Sequence, residues 1–261
     1  MLLIAVLMIL MDKKIEVVQA TSKFINMKIF FTLLFPLLAY SQNFNNGSIV
    51  YEYKMNDSFL KEARELSSKL KDDSQHITFT LDFDEDITLF YLNENLSTKK
   101  NLAVSFTKAR KQILSDLKKQ KFYQYTPYSV LFLENEFTVE YNFFKWKLID
   151  ESRIVEKKTV YKAEGEYKAL INNKIVNQKI IAWYCPEIPI NIGPRGANGL
   201  PGLIYILEDR YGTFLIKNIN FNSKLVIDKI ILENEIISEN IFFDLLIERR
   251  KIFDKAVENK K

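Results

Sequence analysis

The residues that could do chemistry gather between Ala182 and Asp209, in the run AWYCPEIPINIGPRGANGLPGLIYILED. It holds four of the chain's seven glycines and four of its six prolines. The only cysteine, Cys185, and one of the two tryptophans, Trp183, are also here. Gly196, Gly199 and Gly202 with Arg195 could cradle an anion, because glycine lets backbone N–H groups approach a ligand closely and Arg195 supplies a charge beside them. Trp183 is counted with them as a candidate ligand-binding residue. The competing role is architectural: glycines supply positive φ and close packing where a strand must turn sharply. Neither a phosphate-binding G-x-x-x-x-G-K-[ST] nor a dinucleotide G-x-G-x-x-G is present. Glu187, Glu208 and Asp209 flank the run, and a carboxylate pair at suitable separation can run acid–base hydrolysis.

Other chemistries find less material. Asp82, Asp84 and Asp86 open like a calcium loop, but Ile87 stands where the sharp turn needs glycine and Asn93 where the bidentate Glu belongs. His76 is the only histidine, which excludes a zinc site built on several histidines. A triad would need His76 with Cys185 or a serine, and no G-x-S-x-G elbow exists. Cys185, between Tyr184 and Pro186, reads as a small buried residue. We therefore expect no catalytic residues, no metal and no cofactor.

The elements that must hold this run are mostly strands. Ile49, Tyr51, Tyr53 and Met55 alternate with polar neighbours. Ile77, Phe79, Leu81 and Phe83 do the same and turn at Asp84–Glu85–Asp86 into 87–92. Phe59, Ala63, Leu66 and Leu70 recur at helical spacing. So do Phe106, Ala109, Ile113, Leu114 and Leu117 in a Lys-rich stretch, and Phe242, Leu245, Leu246, Ile252 and Phe253 near the end. From Phe122 the strands resume. Between Phe143 and Phe144 the apolar face slips by one residue, which predicts a β-bulge. Strands are also expected over 154–163, 166–171, 174–184, 203–208, 213–221 and 225–232, with Asn172–Asn173 a tight turn. About ten strands with two or three helices and no βαβ rhythm predict an α+β, β-rich class. The expected architecture is one curved antiparallel sheet with the helices packed on it.

With 48% hydrophobic and 13% aromatic residues, the chain can bury a sizeable core. Met27–Gln42, MKIFFTLLFPLLAYSQ, has a basic start, a short apolar run and a small-x-small end, the pattern of a secretory signal peptide. Residues 27–41 are thus expected to be removed. Met27 is the expected start, 1–26 an upstream extension, and 42–261 a single domain. The apolar runs are shorter than the roughly 20 residues a spanning helix needs, so no integral span is expected in the mature chain. The loss of 1–41 removes Lys13, Lys14, Lys23 and Lys28 with Asp12 and Glu16, and takes the net charge from +4 to +2. That balance argues against a nucleic-acid partner.

Gly199–Leu200–Pro201–Gly202–Leu203–Ile204 spells the signature of the GLPGLI family. Ala182–Trp183–Tyr184, Pro186–Glu187–Ile188–Pro189 and Gly193–Pro194 resemble the block leading into it. Leu81–Asp82–Phe83 with Leu89–Phe90, Trp146–Lys147–Leu148 and Tyr161–Lys162–Ala163 are similar too, over roughly residues 45 to 235. Cys185 departs from the small hydroxyl residue expected there, and Val160 from a cysteine. The resemblance implies a secreted or periplasmic protein of Bacteroidota-type bacteria and implies no reaction. Twenty Phe, thirteen Tyr and two Trp could line a pocket inside a curved sheet or simply fill a core. The expected function is a non-catalytic binding module for an apolar small molecule or another envelope protein. The alternatives are a structural or interaction protein with a filled core, then a carboxylate hydrolase.

Overall fold

A computed structural model describes residues 44–75, 77–93, 102–109, 112–126, 137–171, 174–221 and 234–258. The expected signal peptide and extension, His76, the Asn172–Asn173 turn and the 225–232 strand lie outside the described residues. Among the described residues, no helix is long and apolar enough to cross a membrane.

The chain opens with strand β1 (Asn46–Met55), helix α1 (Asp57–Glu62), a 3-10 turn (Arg64–Leu66) and helix α2 (Ser67–Ser74). A meander follows: β2 (Thr78–Asp84), β3 (Ile87–Leu92), a 3-10 turn (Ala103–Thr107), β4 (Ile113–Asp116), β5 (Lys121–Thr126) and β6 (Phe137–Asn142). Next come β7 (Lys147–Val155), β8 (Lys158–Ile171), β9 (Lys174–Cys185), a 3-10 turn (Pro194–Gly196), β10 (Leu203–Glu208) and β11 (Gly212–Phe221). β12 (Glu235–Ser238) and helix α3 (Glu239–Glu258) close the described chain.

All twelve strands join one sheet in the order β12-β6-β5-β4-β3-β2-β1-β11-β10-β9-β8-β7. Every pairing is antiparallel except β12 against β6. One connection fixes its curvature. β6 and β7 lie near opposite edges of the sheet, yet only residues 143–146 join them. In a flat sheet ten strand spacings would separate them by about 48 Å, whereas the link reaches about 17 Å. The sheet therefore coils back on itself and brings β5 and β6 opposite β8 and β9.

Alternation fills the interior. Ile49, Tyr51, Tyr53 and Met55 of β1, at the sheet centre, are all buried, as are Phe79, Leu81 and Phe83 beside them. Phe79 stacks on Phe90 and meets Phe214 edge-on. The Tyr51 hydroxyl donates to the Ile204 carbonyl at 2.7 Å, which ties the central strand to β10. α3 adds a small second core, with Phe242, Leu245 and Leu246 against Phe137, Val139 and Ile237.

Three expectations need correction. The strand expected over 154–163 turns back at Glu156 and Lys157, both at positive φ, so it is the end of β7 and the start of β8, and the strand expected over 166–171 is the rest of β8. The Lys-rich stretch 106–117 does not form a helix. Lys108 takes a left-handed conformation, φ 56°, that ends the first turn. Ile113 and Leu114 then enter β4, where strands on both sides satisfy the backbone that a helix would have satisfied internally. The apolar slip at Phe143–Phe144 is not a bulge either. β6 ends at Asn142, and 143–146 carry the chain to the far edge, so the face changes because the strand does. Irregular register occurs instead at Val50/Tyr51, Leu148/Ser152 and Ile204/Ile206.

Candidate functional site

The Gly/Pro loop between β9 and β10 is held by its own backbone. Gly199 N–H donates to the Asn191 carbonyl, Leu203 N–H to Ile188 and Ile204 N–H to Ile192. Gly193 N–H donates to the Asn198 side-chain oxygen at 3.0 Å, and the Asn198 carbonyl receives the Trp146 indole N–H at 2.9 Å. These donors face loop oxygens and are not directed at a ligand. Gly196 (φ +72°) lies flat on the Phe122 ring, where a Cβ would come within 2.7 Å. Gly202 (φ +149°) lies on the Cys185 carbonyl, where a Cβ would come within 2.3 Å. Gly199 (φ +93°) has space around it, the nearest atom to a Cβ being on Phe143 at 3.7 Å.

What the loop delivers is Arg195. It sits at φ 58° between Pro194 and Gly196 with its side chain buried. Its guanidinium donates to Asp209 Oδ2 at 2.6 Å, with side-chain exposures of 6% and 3%. Asp209 Oδ1 accepts the N–H groups of Tyr211 and Gly212 at 2.8 and 3.1 Å. Burial pushes the Asp209 carboxyl up, but the guanidinium and these donors outweigh it and hold the group below the usual range.

Around this pair stand Tyr167 of β8, Tyr53 of β1, Tyr211 and Lys108. The Lys108 ammonium donates to the Tyr167 hydroxyl at 2.9 Å and lies over the Tyr167 and Tyr211 rings at 4.0 and 5.1 Å. The Tyr167 hydroxyl donates to Asp209 Oδ2 at 3.3 Å. The Gln124 side chain of β5 fixes the Lys108 carbonyl at 3.0 Å. Tyr53's hydroxyl is buried against Gly212, with no hydrogen-bond partner among the described residues.

Lys108 is displaced far from ordinary lysine behaviour. Burial pushes its ammonium pKa down to about 7, Arg195 pushes the same way, and Asp209 opposes. The unfolded chain keeps an ordinary lysine near 10.5. Above about 7 the unfolded state therefore binds a proton that the folded state has released, so stability should rise with pH. Above about 9 the thiol of Cys185, which burial pushes up, acts in the opposite sense. Urea midpoints between those limits should climb for the native chain and flatten in Lys108→Met.

Lys108, Arg195 and Tyr167 line a cavity of ≈ 790 Å³. Its apolar wall is Phe122, Tyr141, Phe143 and Phe144, and its rim is formed by β7, β8, β9 and the start of α3. It occupies the gap that the coiled sheet leaves between β5–β6 and β8–β9. Of the residues singled out from sequence, Arg195 reaches this cavity. Gly196, Gly199, Gly202 and Trp183 are not among its described lining residues. Trp183 pairs across to Lys162, on the opposite face of β8 from Tyr167. Its indole donates to Glu208 at 3.1 Å and lies under the Arg153 guanidinium at 3.8 Å.

The flanking carboxylates do not form a catalytic pair. Glu187 bonds Lys158 at 2.6 Å, which holds its pKa below the ordinary value. Glu208 pairs with Arg153 at 3.1 Å. For Glu187 a general acid would need the opposite displacement. Asp82 accepts the Tyr91 hydroxyl at 2.9 Å, and Asp86 pairs with Lys118. No group of three or more potential metal ligands exists among the described residues. Sequence reasoning missed Lys108, Tyr53, Tyr167 and Tyr211, and noted Asp209 only as a loop-flanking carboxylate. No local motif marks them, because β1, β8, the β10–β11 turn and the 3-10 turn converge only through the sheet's coiling.

Residues 134–208, from β6 through β10, match the model of a family described as "Protein of unknown function (Porph_ging)". No curated protein matches the sequence. Among solved structures the chain is similar to two crystal forms of PNGF-II. For the P21 form, identity is 14% and the TM-score 0.47, over 79% of this chain and 34% of that one. For the C2 form the values are 13%, 0.45, 78% and 33%. The chain thus spans about a third of the length of these solved chains.

Proposed function

We propose that this chain is an exported binding module of the GLPGLI type, which holds an apolar ligand in the cavity between β5–β6 and β8–β9. The observation that carries this reading is the cavity of ≈ 790 Å³ walled by Phe122, Tyr141, Phe143 and Phe144. Ligand sites are concave and combine apolar surface with placed polar groups; here the aromatic wall faces Lys108 and Tyr167, and further charged residues of β7, β8, β9 and α3 complete the lining. The family assignment is supported by the signature block lying within the matched residues 134–208. The ligand reading is tested with N-phenyl-1-naphthylamine as the probe. The native chain should enhance its fluorescence saturably at one site, and Phe144→Asp should remove that enhancement. A native chain that gives no saturable enhancement contradicts it.

A second reading, an envelope interaction protein with a filled core, draws support from the loop. Gly196, Leu200 and Gly202 pack inside the fold, and the loop donors satisfy loop acceptors. On that reading, cross-linking in intact cells captures a protein neighbour and the probe does not bind.

Export is the remaining part of the proposal, and it rests on the signal-like run 27–41. The intact mass of protein recovered from the envelope should correspond to a chain that begins near Gln42. Retention of residues 1–41 in that protein would contradict export by this route.

A further inference from the structure

The cavity has unbalanced charge. Its described lining carries six cationic side chains and three carboxylates. Arg195 is neutralised by Asp209, Lys168 by Glu239 and Lys179 by Glu164. Glu166 accepts from Asn177. Lys108, Lys145 and Lys147 have no carboxylate within ion-pair distance among the described residues. Lys108 is the deepest of these. Its surroundings consist of two aromatic faces, the Tyr167 hydroxyl, the Gln124 amide on its own carbonyl, and an arginine whose charge Asp209 already answers. A half-buried cation with no carboxylate in direct contact is costly, Asp209 acting on it only from beyond the Tyr167 hydroxyl, and an anion brought beside it from outside removes that cost. Beyond Lys108 the wall is aromatic, so the anion must carry an apolar body.

We infer that the ligand of this cavity is an acidic amphiphile, an apolar chain ending in a carboxylate or phosphate monoester whose head group pairs with Lys108. This rests on the binding-module reading and names its ligand class. Lys145 and Lys147 at the rim would draw the anion in, and the Tyr167 hydroxyl, already bonded to the ammonium, orients it. Binding requires the protonated amine. Because burial and Arg195 favour the neutral form near neutral pH, an acid that binds should also restore a proton to Lys108. Asp209, Tyr167 and Tyr211 are the other titratable groups facing that amine. Asp209 stays ionised and Tyr167 stays protonated across this range, since both are displaced away from it.

The test uses three probes of equal chain length below their micelle concentrations: dodecanoate, dodecyl phosphate and dodecanol. Titration calorimetry at about pH 6 should show an acid bound at least about tenfold more tightly than the alcohol, the scale of a charge-assisted hydrogen bond. Which acid wins tells a carboxylate ligand from a phosphate one. Raising the pH to about 9 should erase the advantage of the acids and leave dodecanol unchanged. Lys108→Met should behave at pH 6 as the native chain does at pH 9, and Lys108→Arg should keep acid binding at both. Should Lys108→Met fail to fold, the pH series on the native chain decides alone. Equal binding of acids and alcohol, or an acid preference indifferent to pH, overturns the inference and leaves the binding module standing. Failure of all three probes to bind overturns both.

Discussion

Arg195→Ala should cost about 3–5 kcal/mol of folding stability, the scale of removing one partner from a buried ion pair. The side chains of Arg195 and Asp209 are almost fully buried and 2.6 Å apart. Without the guanidinium, the Asp209 carboxylate keeps only the two backbone donors of Tyr211 and Gly212 and the Tyr167 hydroxyl. The loss should show as a lower urea midpoint at neutral pH. Arg195→Met with Asp209→Asn should recover part of it, because the uncompensated charge disappears while the side-chain oxygen can still accept the Tyr211 and Gly212 N–H groups. Acid acts on the same pair. The folded Asp209 value lies below the ordinary 3.8, so its contribution is complete above that value and fades as pH falls towards the folded one. The native chain should therefore lose stability below about pH 4 faster than the double variant does. A single variant as stable as the native chain would contradict this account of the loop.

Gly202→Ala should be nearly as damaging, for a different reason. A Cβ there would meet the Cys185 carbonyl oxygen at 2.3 Å and its carbon at 2.6 Å. Those are backbone atoms of β9 and cannot swing aside. With the strain of an L-residue at φ +149°, the cost should be about 3 kcal/mol or more. Gly199→Ala is the control. It also has positive φ, but a Cβ meets only Phe143 at 3.7 Å, so the cost should stay near the 1–2 kcal/mol of left-handed strain. Thermal melts of the two variants separate packing from backbone conformation. Equal losses would show that φ alone explains the glycines.

The contrast between these positions also shows how far the sequence could be read. Alternation in β1 and β2 was plain, because a sheet with one face on a core imposes a period of two, and β12 and β6 alone depart from the antiparallel expectation; the bounds of β8 were misread, because the Glu156–Lys157 turn carries no glycine, asparagine or proline to mark it. The stretch 106–117 misled because Ile113, Leu114 and Leu117 satisfy a helical period by accident. Strand partners on both sides decided its structure, and those partners are distant in sequence. The apolar slip at Phe143–Phe144 was real, but a short link and a bulge write the same pattern. Arg195 stood out through its glycine neighbours. Asp209 was noted beside the loop, yet nothing local ties it to Arg195, and Lys108 lies in a run of lysines that gives no reason to prefer one. Trp183 drew attention by rarity and proved to sit on the other face of the sheet, where Lys162 and Arg153 cover it. A buried polar cluster assembled from five separate segments has no linear signature.

The central claim is that the cavity holds a ligand with an apolar body. Native mass spectrometry of the protein, purified without refolding from the cells that make it, tests that claim most directly. The account predicts a bound species of defined small mass, released on denaturation and depleted in Phe144→Asp. A native chain that arrives bare, or carrying another protein in place of a small molecule, would contradict it.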